Sequence, residues 1–381
     1  MSEDSTQEEI DPEKLKDVKN ILLEELDDLV KLVKDSDDEN LKNINFLKKV
    51  LKLSDIIHCH LNKSSILSNN NIEDNDDEDK IQTKKYEDGL YYGYLKNDER
   101  VGKGIMYYNN DDKYEGEWNY DERQGKGIMY YKNGDIYEGE WESGNKEGKG
   151  TMHYNNGDIY EGDWESDNKQ GKGIYYYNND DEFKKYEGEF IFNVRNGKGK
   201  MYYINGDIYE GGWKYNWREG KGTMYYNNGD IYKGNYSFDK MNGKGEYYYI
   251  NGDRYEGDFV DNLKEGKGKA IFNNGARYEG EWKNDMKEGK GIFYYINGNK
   301  YDGEWKNDKK EGKGIGYYSD GGRYEGDFKN DMRDGEGIFY YNNGDREMGN
   351  YIFDQRWRQH VSLSVNGFVT FRFYYFVNPN L

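Results

Sequence analysis

The chain of 381 residues holds a single cysteine, Cys59, and only two prolines, Pro12 and Pro379. One cysteine excludes an intramolecular disulfide and fits a reducing, cytoplasmic setting. Prolines at the extremes leave the body free of the ring that removes a ladder hydrogen-bond donor, which suits a sheet. No apolar run reaches about 18 residues, so no transmembrane helix is expected. The opening Met-Ser-Glu-Asp has neither a basic nor an apolar leader segment, so no secretory signal is expected. Without a secretory route, Asn62-Lys-Ser64 and Asn235-Tyr-Ser237 match the glycosylation pattern by chance. Positive charge is also short. The net charge is −20, with −9 on the first 85 residues and −11 on the rest. That excludes the broad basic surface of a nucleic-acid binder, and on average it repels an anionic membrane. Histidines number 4. His58-Cys59-His60 is their one cluster; adjacent residues rarely aim at one ion, and no second pair has ligand spacing. No metal or cofactor is expected.

Glycine and tyrosine, in contrast, are abundant, at 49 and 41 residues. Most of them belong to one repeated stretch. Tyr-x-Gly opens it at Tyr91, Tyr114, Tyr137, Tyr160, Tyr186, Tyr209, Tyr232, Tyr255, Tyr278, Tyr301 and Tyr324. Each step is 23 residues, apart from 26 between Tyr160 and Tyr186, where the bend at 178–185 is longer. Counting from the tyrosine as position 1, position 3 is Gly throughout. Position 5 is aromatic in all copies but the first, which has Leu95. Positions 12 and 14 are Gly, and position 18 is Tyr or Phe272. A fixed period of this length signals a repeat architecture.

Period-two alternation broken by Asn-Gly bends predicts two short strands per copy, over positions 1–5 and about 14–18. All six marked positions then share one face. The large-against-small pattern predicts position 5 opposite 14, 3 opposite 16 and 1 opposite 18, with aromatic rings covering glycines. The fold class is mainly β: an elongated, single-layer antiparallel meander about 100 Å long, coiled into a trough.

Residues 1–63 are expected to form a short N-terminal α-helical hairpin. Asp11-Pro12 is a helix start. Leu15, Val18, Leu22, Leu26, Leu29 and Val33 form one stripe, and Ser36 to Glu39 is a capping box. Residues 64–85 read as an acidic disordered linker. The repeat sheet takes 86–356, with eleven full copies over 91–346 and a degenerate twelfth from 347. Residues 357–381 read as a hairpin around Asn366-Gly367. It is either a cap on the last repeat or a membrane-inserting or self-associating tail.

Tyr-Glu-Gly-Glu-Trp, a polar bend, Gly-Lys-Gly and Asn-Gly-Asp at this spacing resemble the MORN repeat family over 91–346. The resemblance implies an extended single-layer sheet of hairpins. It also implies a scaffolding role at cytoskeletal, cortical or membrane-contact sites, and an association with phosphoinositides. Enzymatic domains that accompany MORN repeats elsewhere find no counterpart in the flanking residues.

No chemistry stands out. Gly148-Lys149-Gly150 lacks the spacing and following helix of a phosphate loop. The acids at positions 2 and 4 recur as a building rule, and the copies at Tyr91 and Tyr232 lose them. His153 occupies a slot held mostly by tyrosine. The chain is therefore expected to be no enzyme. Two surfaces are candidates. The aromatic face, with Tyr114, Trp118, Tyr137, Trp141, Tyr160, Trp164, Trp213, Tyr278, Trp282, Tyr301 and Trp305, would be an open groove for a protein partner, including a second copy. The lysine row at position 13, including Lys126, Lys149, Lys172, Lys221, Lys267 and Lys290, would meet anionic lipid. Its bland alternative is a solvated ladder paired with acids such as Glu115 or Glu138. The leading expectation is a cytoplasmic, non-enzymatic scaffold at a cytoskeletal or cortical site. The alternatives are peripheral membrane binding and a regulatory subunit of an enzyme.

Overall fold

The computed structural model describes residues 81–178 and 180–375. The expected helical hairpin and the His58-Cys59-His60 cluster lie outside them, as does nearly all of the acidic linker. The described residues contain 26 strands and no helix. By contacts the chain divides into two units, Met1–Lys84 with Tyr92–Arg100, and Lys85–Tyr91 with Val101–Leu381. The described part of the first is strand and turn at 81–84 and 92–100. The second carries the repeats and is a single sheet. From Glu99–Tyr108 to Val369–Tyr374, each strand pairs antiparallel with its neighbours in sequence.

Each copy supplies two strands, as Lys113–Asn119 and Glu122–Tyr130 show. The second strand starts five residues earlier than position 14 and ends before position 18. The polar bend between them is a two-residue turn with positive φ at both residues, such as Tyr120 at 48° and Asp121 at 69°. That is the mirror-image turn whose twist matches a hairpin. The Asn-Gly bend places its glycine, Gly134, at φ 97°. Side chains tie the bends of successive copies together. Asp135 accepts from the Asn155 amide at 2.8 Å, and Asn155 Nδ2 donates to Asn133 O at 2.8 Å.

The register differs from the sequence expectation by two residues. Position 1 faces position 16, as Tyr114 faces Met129, and glycine faces glycine, as Gly116 faces Gly127. Across the other bend Gly127 faces Gly139 and Gly125 faces Trp141. Because the shift is even, all these residues still lie on one face. The cause is the position-1 tyrosine. It lies along its own strand over the glycine pair, and its hydroxyl donates to the position-4 carbonyl, Tyr137 to Glu140 at 3.0 Å. The backbones beneath run so close that a Cβ on Gly139 would stand 2.6 Å from the Gly150 Cα. Only glycine fits at both places. A bulge between Gly116 and Glu117 absorbs the mismatch inside the copy, where Gly125 takes φ 66°.

The C-terminal hairpin is present: Gln355–Leu363 pairs with Val369–Tyr374 and continues the meander past the twelfth copy. There the rule is rewritten. Position 1 is Glu347 and position 14 is His360. The imidazole now covers Gly349, and Nε2 lies 2.8 Å from the Asn350 carbonyl, the position-4 acceptor used by each tyrosine. Glu347 Oε1 lies 3.1 Å from both His360 Nδ1 and Arg356 Nε; neither approach is aligned as a hydrogen bond, and the one to Arg356 is an ion pair. Tyr341 donates to the other Glu347 oxygen at 2.6 Å.

Candidate functional site

The aromatic residues expected to bind a partner are all inside. Tyr114, Tyr137, Tyr160 and Tyr278 are fully buried, and Tyr301 is 2% exposed. Trp118, Trp141, Trp164, Trp213, Trp282 and Trp305 are 3–7% exposed. The expected open aromatic groove is thus closed by its own side chains. From Tyr114 to Tyr301 each tyrosine ring meets the position-5 ring of its own copy and that of the next edge-on; Tyr137 lies 5.2 Å from Trp141 and from Trp164. Edge-to-face pairs at this distance are favourable beyond their area. The indole N–H donates to the position-14 carbonyl of the copy before, Trp141 to Gly127 at 3.1 Å and Trp305 to Gly291 at 3.0 Å. So in the six copies with Trp at position 5 one side chain bolts the copy to its predecessor.

Sequence reasoning missed the residues that finish this closure. Position 10 carries Arg or Lys in every copy but the one with Met241. Arg123 lies 4.4 Å over Trp141, Arg195 4.6 Å over Trp213 and Lys287 4.8 Å over Trp305. These are cation–π lids whose aliphatic stems cover the rings. The signal was a recurrent cation beside Gly-Lys-Gly, as regular as the lysine row. Burial pushes the Lys169 ammonium down to about 8. Burial likewise raises the position-1 tyrosines, such as Tyr137 and Tyr278, well above the ordinary range.

The concavity lies on the opposite face. A groove encloses about 1450 Å³ between Lys149 and Lys244, and two further stretches continue it to Val361. Its floor is the bare backbone of the facing glycines, among them Gly162, Gly173, Gly188 and Gly199. Its walls are positions 2, 4, 13 and 15. The lysine row stands here, opposite the position-4 acid of the next copy rather than the position-2 acids Glu115 or Glu138. Lys126 faces Glu140, Lys172 faces Glu189, Lys267 faces Glu281 and Lys290 faces Glu304. Lys149 pairs with Asp163, Lys244 with Asp258 and Lys313 with Asp327, the last two at 2.6 Å. Lys221 is an exception, since it faces Asn235. Burial pushes the Asp163 carboxyl up, but Lys149 and the Lys172 amide outweigh it and hold it below the ordinary range. His153 pairs across the strands with Ile136 and Ile159, as a strand residue of the repeat.

Among the described residues, no group of three or more His, Cys, Asp or Glu side chains is placed to hold a metal ion. Nor is any helix there long and apolar enough to cross a membrane.

Comparison with curated proteins gives no match. Several solved structures resemble the chain loosely. The TCP domain of Drosophila melanogaster SAS-4 (dCPAP), solved with a proline-rich motif of Ana2 (dSTIL), is 15% identical. The match covers 46% of this chain and 86% of that one, at a TM-score of 0.27. The Danio rerio CPAP TCP10 domain, solved with a STIL peptide, is 10% identical over 76% and 97%, at 0.16. A streptogramin B lyase is 14% identical over 81% and 87%, at 0.12. At such scores these likenesses carry no information about ligands. The repeats are decisive instead. The MORN repeat family matches eleven successive segments, from 91–113 to 324–346, with residues 183–185 left between the fourth and the fifth. Glycine pairs, their covering tyrosines and the indole bolts recur in those same segments, and the chain therefore belongs to the MORN repeat family.

Proposed function

We propose that the chain is a non-enzymatic, cytoplasmic scaffold that holds a segment of a partner protein in the groove of its charged face. The observation that carries this reading is the groove itself. Its floor is bare main chain, because the Cβ positions of Gly162, Gly173, Gly188 and Gly199 point to the tyrosines of the other face, so a segment laid between the walls meets backbone. Its walls alternate Lys and Glu with apolar residues such as Ile174, Ile315, Ile338 and Val361, offering donors, acceptors and contact area together. On the aromatic face the rings named above are already partnered and 0–7% exposed. The acids opposite most of the lysine row favour a polar protein segment over a bilayer, since each facing acid offsets the attraction of a lysine for anionic lipid.

The test is site-specific photocrosslinking of the full chain in its native cell. A crosslinking side chain placed at Ile315 in the groove should yield partner adducts. One placed at Ile296, an exposed bend residue away from the groove lining, should not. Adducts from the bend alone, or none from the groove, would refute the reading.

A second reading is self-association, favoured by a separate feature. Among the described residues, Val369–Tyr374 is paired on one side only, with Phe371 60% and Phe373 64% exposed. An apolar open edge is a template for another strand. Sedimentation of the wild type as a dimer, reverting to monomer with Phe371→Lys, would support it. A monomeric wild type would end it.

A further inference from the structure

Three consecutive copies, led by Tyr186, Tyr209 and Tyr232, depart from the repeat in two independent ways. The first departure is in the groove. Position 4 is an acid in the flanking copies but Gly212 and Asn235 here, and position 2 becomes Lys233. Lys198 therefore faces Gly212, and Lys221 faces Asn235. Their neighbours are engaged: Lys200 lies 3.9 Å from Glu210, Lys244 2.6 Å from Asp258, and Arg254 3.2 Å from Glu246. Lys198 and Lys221 are exposed and face no acid; Lys233, also exposed, faces Glu246, which Arg254 and Tyr248 already engage, and lies 5.6 Å over the Tyr248 ring, and none of the three has a carboxylate in ion-pair range among the described residues. Glu219 also lines the groove here, and it accepts from the Phe238 amide at 3.1 Å.

The second departure is at the rim. Most copies place Asn, Asp or Ser at position 7, the first residue of the two-residue turn. These three place Phe192, Tyr215 and Phe238 there, at φ 47°, 49° and 47° and 66–72% exposed; Tyr120 and Phe353 hold the slot elsewhere, but singly, and only here do rings occupy it in consecutive copies. Asn tolerates the left-handed region best, and a bulky ring gains nothing there locally. Trp217, 50% exposed, follows Tyr215 by two residues. Gly212 and Asn235 precede Tyr215 and Phe238 by three residues, a distance of about 10 Å along a strand. Lys198 and Lys221, which face Gly212 and Asn235, therefore stand near the strand ends that carry Tyr215 and Phe238.

We propose that these copies form a docking site for an acidic peptide segment that also carries apolar or aromatic side chains. The three lysines take its carboxylates, and the rim rings take its apolar groups. The proposal rests on the reading of the groove as a partner site, and it names the chemistry of the occupant. A membrane suits the place less well. The cations sit within a concavity that a bilayer surface does not follow, and the surrounding −11 repels an anionic sheet of lipid while a short peptide senses charge only within about 8 Å.

The test uses the full chain and a fluorescent synthetic peptide of Glu and Asp interrupted by Phe, read by anisotropy. Binding should weaken about tenfold or more between low and physiological salt. Lys233→Glu with Asn235→Glu restores the acids of the other copies and should weaken binding at least tenfold. Phe192→Asn, Tyr215→Asn and Phe238→Asn restore the usual turn residue, relieve the backbone and should also weaken binding. Both sets move toward the repeat consensus, so far-UV spectra and melting should be kept. Lys306→Gln and Lys329→Gln, which remove exposed lysines outside the groove lining, should change binding less than threefold. Equal binding by all variants would overturn the proposal. So would preference for a Lys-rich peptide, or loss of vesicle binding by the same variants with no peptide bound. If groove crosslinks at Ile315 persist while the peptide fails, the scaffold reading stands and this inference falls. If both fail, both fall.

Discussion

Raising the pH should dismantle this sheet through its tyrosines. The position-1 residues from Tyr114 to Tyr324 are 0–2% exposed, and burial raises each of their phenols well above 10. A folded-state pKa above the unfolded value means that stability is whole below pH 10 and drains as pH rises past it, because only the unfolded chain ionises there. At pH 11 each such tyrosine removes about 1.4 kcal/mol. Ten of them remove on the order of 10 kcal/mol, comparable with the entire stability of a domain. The position-10 lysines act the other way. Burial lowers Lys169 to about 8 and depresses Lys146, Lys287 and Lys310. Their contribution rises between about pH 8 and 10.5, where the unfolded chain holds the proton and the fold does not. Urea midpoints should therefore climb slightly from pH 8 towards 10 and collapse above it. Exposed tyrosines should give a smooth tyrosinate signal near pH 10, and the buried set a separate step coincident with loss of far-UV dichroism. A single tyrosinate transition near 10 with the sheet intact would refute the buried ladder.

Three perturbations of single copies follow. Gly150→Ala puts a methyl against the Tyr137 ring and the facing Gly139 strand. It should cost about 1–3 kcal/mol, with faster hydrogen exchange confined to the copies led by Tyr137 and Tyr160. Trp282→Ser removes a ring 7% exposed and its hydrogen bond to the Gly268 carbonyl at 3.2 Å. The loss should be about 3–5 kcal/mol, seen as local opening in exchange rather than as a folded chain with altered binding. Glu347→Ala removes the acceptor of the Tyr341 hydroxyl and the counter-charge of half-exposed Arg356 beside the buried His360. Allowing for solvent at Arg356, it should cost about 2 kcal/mol, read as exchange over Gln355–Tyr374. Glu347→Tyr together with His360→Gly restores the repeat rule, so the pair should recover the stability that either change alone loses. An additive double variant would show that the imidazole does not replace the tyrosine.

Much of this sheet was legible before any coordinates. Tyr, Gly and Trp alternate at period two, which places them on one face whatever the register. The register itself was not visible. Large-against-small alternation sets each ring opposite the glycine on the facing strand. In the structure Tyr137 covers Gly139, two residues along its own strand, and Gly150 opposite. It can do so because both glycines lack a side chain and Gly148 turns through positive φ. That one motion fills the aromatic face and moves the candidate site to the other. Rings on one side and bare backbone on the other leave the concavity on the bare side, where Lys and Glu were read as a solvated ladder. Position 10 escaped notice because Lys and Arg are common on surfaces, and only the strand geometry shows Arg123 lying over an indole. The loss of acids at Tyr232 was visible too, but as a sign against catalysis. Its meaning depends on knowing that position 4 faces the lysine of the copy before. A missing carboxylate then becomes an unmatched cation, and the irregular copies carry more information about a partner than the regular ones.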